Sequence, residues 1–181
     1  MHSKLFKMTL LTLLCYLLQV TLAEVISVWD VAPNMAMAII AVVTVCLGRK
    51  YTFIMALAVG YLLEIMLPSM DYLYLILYPV CAMIGALVFS DKSERRLEEE
   101  RSTGRRRLQL NAHIRTPLCA ALTSFVFEGA HLIYIYLSGV TLDNGHLWRV
   151  VVVVAYTMLL AGVLQFPIRW WMGTYKLKKA R

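Results

Sequence analysis

The sequence predicts an all-α integral membrane protein, a compact bundle of about six transmembrane helices with both termini cytoplasmic. Three observations carry that expectation. Of 181 residues, 60% are hydrophobic and 16% charged, against about 45–50% and about 25% in soluble domains, and the mean hydropathy is +0.68. Charge-poor runs of near-spanning length recur along the whole chain. Lys and Arg fall into alternate gaps between those runs, as the inner side of a bilayer requires.

The first run, 5–23, follows Lys4 and contains Lys7, whose stem is long enough to snorkel to the headgroups. Thr21-Leu22-Ala23 is a weak small-residue cleavage site, so the segment resembles a signal sequence but is read as an uncleaved first helix. Run 31–48 has no charge before Arg49, 51–67 holds only Glu64, and 72–90 holds none. Run 116–138 holds Glu128 and His131, and 150–168 is charge-free. Residues 1–181 therefore form a single polytopic domain, with a charged cytoplasmic loop at 91–115 and a basic tail at 169–181.

Seventeen of the 18 Lys and Arg lie in the gaps assigned to the inside; the exception is Arg149 at the outer start of the last run. The complementary gaps, 24–30, 68–71 and 139–146, carry acids and no Lys or Arg. An odd number of spans would put a basic group outside, so the charge pattern favours an even count.

The net charge of +7 raises nucleic acid as a partner. Its placement between apolar runs, with no basic and aromatic groove, argues against that and for topology and anionic lipid. Cys15, Cys46, Cys81 and Cys119 sit in or beside apolar runs without metal-ligand spacing and read as small buried hydrophobes. No cofactor or metal is expected, and no nucleophile elbow, HExxH pair or phosphate-cradling glycine loop points to an enzyme.

The residues that demand explanation are Glu64 and Glu128, because a charge at bilayer depth costs roughly 2.5–3.5 kcal/mol even on a lenient scale. Each stands thirteen positions after the inner end of its run, at Tyr51 and Arg115. At about 1.5 Å per residue, both lie about 20 Å from that end and occupy one layer. His131, three residues beyond Glu128, shares its helical face and is placed to hydrogen-bond it. Three readings stay open: interhelical structural bonding, a contact for a membrane partner, or a proton or substrate pathway.

Ala56 with Gly60 and Ala82 with Ala86 have the four-residue spacing of close helix contacts. Pro79 and Pro167 are candidate kinks or helix ends. In the charged loop, Arg95 with Glu99 and Arg96 with Glu100 extend a helical pattern up to Ser102-Thr103-Gly104. Arg105, Arg106 and Arg107 then form a basic cluster for anionic lipid or a cytoplasmic docking partner.

One family is suggested by particular residues. Val31-Ala32-Pro33-Asn34 opens the second run, a charge-free helix and the basic turn Arg49-Lys50 follow, and then comes Ala56-Leu57-Ala58-Val59-Gly60-Tyr61-Leu62-Leu63-Glu64-Ile65. This pattern resembles the bacterial rod-shape-determining membrane protein family MreD, with Pro33, Asn34, Gly60 and Glu64 as the motif positions. Ser124-Phe125-Val126-Phe127-Glu128 resembles the family's later acid. The likeness covers roughly 33–87 well and 117–136 loosely. It departs at Met66-Leu67-Pro68-Ser69-Met70-Asp71, where the family often has Ser-Gly, and in the longer charged loop.

The resemblance implies a noncatalytic inner-membrane component of lateral cell-wall elongation. Its partners would be MreC and, through it, MreB and the peptidoglycan glycosyltransferase/transpeptidase pair. It also implies a fold similar to the substrate-binding subunits of energy-coupling-factor vitamin transporters, and such a transporter subunit is the alternative function. The single alanine of the first run, Ala23, counts against that alternative, since those subunits dock through alanine-rich faces. A third class, an enzyme acting on lipid-linked intermediates, would have to build its site from Glu24, Asp30, Asp71, Asp143 and His146 of separate outer loops.

Overall fold

A computed structural model describes residues 2–22, 25–27, 31–66, 72–89, 111–139, 141 and 143–173. Among them the chain is all-helical, with no strand. Helix α1 is His2–Leu17 and runs into a π-helical turn, Leu18–Leu22. It is followed by α2, Met35–Leu47, α3, Arg49–Met66, and α4, Leu73–Phe89. The last two, α5, Ala112–Leu137, and α6, Asn144–Met172, are 26 and 29 residues long, and both are long and apolar enough to cross a membrane.

Helix α2 is the centre of the bundle. It is apolar on every side, and every residue from Met35 to Val45 is buried, as a helix without a polar face must be. The other five helices all pack against it. The apolar run was expected to form a span over 31–48, but the helix starts only at Met35. Pro33 brings no N–H, and Asn34 turns its side chain back to accept from Met37 N at 3.0 Å. At thirteen residues α2 is about 20 Å long, well short of its neighbours.

The buried start of α2 is satisfied from two sides. Ala36 N donates to Gln19 Oε1 at 2.9 Å, and Asn34 N donates to Thr157 Oγ1 at 3.1 Å. Tyr156 of α6 also donates its hydroxyl to the Ile26 carbonyl at 2.8 Å. The exit from α2 needs Gly48, whose φ of 83° lets α3 begin at the next residue. Beside that turn the Thr52 hydroxyl is 3.2 Å from Thr44 Oγ1 and 3.0 Å from the Gly48 carbonyl, so these buried polar groups are satisfied within the bend.

Small residues set the spacing of the outer helices. Ala56, Ala82 and Ala86 are fully buried. A Cβ on Gly60 would come within 2.8 Å of the Tyr74 carbonyl oxygen, and one on Gly85 would strike the Thr123 methyl group. Pro79 and Pro167 lie inside α4 and α6 and mark no helix end.

Basic side chains gather at one pole and plug backbone carbonyls there. Lys7 Nζ donates to the Trp171 carbonyl at 3.0 Å, and Arg49 Nε to the Ala86 carbonyl at 3.3 Å. Arg115 bonds the Phe89 carbonyl, and Arg169 Nη2 reaches the Ala112 carbonyl at 2.8 Å and Thr116 Oγ1 at 2.9 Å. Several of these acceptors belong to the last turns of α4 and α6, whose carbonyls lack helical donors and carry partial negative charge. Lys7 thus ties its ammonium to the end of α6. The contacts also fix the course of the chain: α1, α3 and α5 start at this pole, and α2, α4 and α6 end there. Away from the core, the bundle exposes large apolar side chains, for example Phe53, Ile54, Leu57, Tyr61 and Ile65 along α3.

Candidate functional site

At the pole opposite the basic collar, the late start of α2 leaves a cavity of about 230 Å³. Its floor is Pro33 and Asn34, and its walls come from the end of α1, the start of α4, the later part of α5 and the start of α6. One wall is aromatic: the Tyr78 and Phe127 rings are tilted with centroids 4.9 Å apart, and Tyr74 stacks on Phe127 at 6.3 Å. The Tyr78 hydroxyl donates to Asn34 Oδ1 at 3.4 Å, so the α2 cap and the aromatic wall hold each other.

Glu128 and His131 of α5 line the same cavity, together with His146 and Arg149 of α6. The expected hydrogen bond between Glu128 and His131 does not form; the His131 ring lies 6.5 Å from that of Phe127, tilted by 57°. The reason is geometric. Residues three apart share a face, but here the imidazole lies along the aromatic wall. Arg149 is the cation whose field reaches both Glu128 and His131. His146 is oriented by a capping box at the start of α6, in which its Nδ1 accepts from Asp143 N at 3.2 Å.

Glu64 takes a different role. Its Oε1 accepts from Tyr72 N at 3.0 Å and its Oε2 from Tyr74 N at 2.8 Å, so the carboxylate caps the first turn of α4 from the far end of α3. The cap holds Tyr72 at a φ of 60°, a conformation uncommon for a non-glycine residue. Glu64 does not line the cavity, although its neighbour Leu63 does. Glu64→Ala is therefore expected to lower stability by about 1–2 kcal/mol, the usual worth of an N-cap. Glu64→Gln, which keeps one acceptor, should lose less. Thermal melts in detergent read this directly, and an unchanged melting temperature for Glu64→Ala would refute the capping role.

Of the residues singled out from sequence, Pro33, Asn34, Glu128 and His131 meet at one cavity. Gly60 and Glu64 support its α4 wall from behind. Arg105, Arg106 and Arg107 lie outside the described residues, as does the helical extension through Arg95, Arg96, Glu99 and Glu100. Sequence reasoning did not single out Gln19, Tyr78 or Arg149 as cavity residues. Arg149 had left a signal, since it alone broke the alternation of basic gaps. Among the described residues no cluster of His, Cys, Asp and Glu is arranged to hold a metal ion. Comparison with family models, curated proteins and solved structures found no match.

Proposed function

We propose that this chain is a six-span cytoplasmic-membrane protein of the MreD type. In this reading it is a noncatalytic component that assembles with MreC and, through it, with MreB and the peptidoglycan synthase pair. The membrane part is supported by the apolar outer faces, by two helices of spanning length and by the basic pole. Cations at one end of a bundle are retained on the cytoplasmic side, which would place both termini inside and the cavity outside.

The observation that carries the family reading is where the motif residues act. Asn34 bonds Tyr78, Gly60 admits the Tyr74 backbone and the Tyr78 side chain, and Glu64 caps Tyr72 and Tyr74. Asn34, Gly60 and Glu64 thus work as one clamp on the first turns of α4, with Pro33 beside them at the cavity floor, a structural role suited to an assembly component.

Orientation is tested by fusing a reporter active only outside the cytoplasmic membrane. Signal is expected after Ser69 and Asn144 and none after Thr103; the reverse pattern would overturn the topology. Function is tested by affinity purification from native membrane of a rod-shaped bacterium, where MreC-type and wall-synthase proteins should be recovered, and by depletion, which should round the cells. The cavity favours one alternative, the substrate-binding subunit of a vitamin-type transporter. Recovery of an ABC-type energising module in place of wall proteins would establish that alternative.

A further inference from the structure

The cavity at the start of α2 has a donor set that the wall-elongation role leaves without a ligand. Asn34 Oδ1 is occupied by Met37 N and the Tyr78 hydroxyl, and Gln19 Oε1 by Ala36 N. Asn34 is left with its NH₂ donor, and Gln19 with its NH₂ donor and one lone pair of Oε1. His146 Nδ1 accepts from Asp143 N, which makes Nε2 the protonated, donating nitrogen. Arg149 contributes a guanidinium, a group with donors only. The N-termini of α2 and α6 add the positive ends of their helix dipoles at the same place.

Against these donors stands one acid, Glu128, next to the rings of Phe127 and Tyr78. Among the described residues Glu128 and Arg149 form no ion pair with each other, although both line the cavity. A carboxylate beside aromatic faces suits an ammonium group, and converging donors suit an anion. An acid and a base that share a small space without pairing are complementary to a molecule carrying both charges. The four donor groups, Gln19, Asn34, His146 and Arg149, outnumber the two oxygens of a carboxylate and are better matched by the three or more oxygens of a phosphate. At about 230 Å³ the space is below the range of drug-sized pockets, about 300–1,000 Å³.

We infer that this cavity binds a small aminophosphate zwitterion of the phosphoethanolamine class, free or as a lipid headgroup. The phosphate lies toward Arg149, His146 and the amides of Gln19 and Asn34, and the ammonium toward Glu128 and the aromatic wall.

The test is calorimetric titration of the purified full chain in detergent with phosphoethanolamine, inorganic phosphate and ethanolamine. Phosphoethanolamine should bind at least about tenfold more tightly than either half-molecule. Glu128→Gln should abolish that preference over phosphate while phosphate binding persists, and Arg149→Gln, at an exposed position, should weaken both by about tenfold. The wild-type selectivity series stands without either variant, so a folding defect in one does not decide the matter. Equal affinity for the three probes, no binding of phosphoethanolamine, or wild-type behaviour in both variants would overturn the inference. Repeating the titration in nanodiscs separates the two sources. Competition by phosphatidylethanolamine but not phosphatidylglycerol identifies a headgroup site, and undiminished binding in both discs identifies a soluble ligand. Purified protein alone is used, so failure here leaves the wall-elongation reading standing and failure of that reading leaves this one.

Discussion

Gly60→Val is expected to force α3 away from α4 and to lower stability by about 3 kcal/mol, the upper part of the range for overpacking. The first added carbon already meets the Tyr74 carbonyl oxygen at 2.8 Å and the Tyr78 Cβ at 3.3 Å. That oxygen is backbone, so relief requires movement of the helix itself. The same turn is held at Tyr72 N and Tyr74 N by the Glu64 carboxylate, whose own helix carries Gly60. Two contacts therefore fix one spacing, and valine satisfies neither its own packing nor the cap. Gly60→Ala should cost less, because it lacks the two branching methyl groups. Thermal unfolding of the detergent-solubilised variants reads the series. Combining Gly60→Ala with Glu64→Ala should give less than the sum of the single effects, since the two act on one turn. A Gly60→Val protein that melts with the wild type would show that the helices do not approach this closely.

Asn34→Leu is expected to cost about 3 kcal/mol, and its effect should reach two helices. Asn34 is buried, and its Oδ1 is the acceptor for Met37 N in the central helix and for the Tyr78 hydroxyl in α4. Leucine keeps the approximate volume but leaves two buried donors without an acceptor, each worth about 1–3 kcal/mol. At an exposed N-cap water would replace the lost group; at this one the neighbouring residues of α2 are buried on every side. Asn34→Asp retains an acceptor and should be milder. Tyr78→Phe removes one of the two donors, so the Asn34→Leu, Tyr78→Phe cycle should show coupling of about 1 kcal/mol for that hydrogen bond. Chemical or thermal denaturation provides the numbers, and additive single effects would rule out the shared oxygen.

The helix number and approximate positions were legible because an apolar run without charge has few alternatives to a helix packed on other apolar surface. Boundaries failed where polar chemistry intervened. Run 31–48 looked continuous, yet Pro33 and Asn34 are cap residues rather than helical ones, and Asn34 in an apolar stretch was the available sign. Glu64 was legible as an anomaly but not as a cap. Its acceptors serve a helix that begins nine residues later, and only the packing of α3 on α4 brings Tyr72 and Tyr74 to it. Helical spacing placed Glu128 and His131 on one face correctly but could not show that the imidazole turns to Phe127. Arg149 was the informative exception: a cation that contradicts a topology rule has another task, here beside Glu128 and His131. The cavity itself was not legible, since it follows from α2 being shorter than the helices that surround it.

The contacts between the two ends of the chain bear on its biosynthesis. Lys7 meets Trp171, Asn34 meets Thr157 and Ile26 meets Tyr156. Every one of these partners is in the final helix, so a nascent polypeptide leaving the ribosome holds its earlier segments without the groups that finish the start of α2. The bundle locks only once α6 has been made, and a message cut short before residue 157 yields a product that cannot close, a natural substrate for quality-control proteolysis.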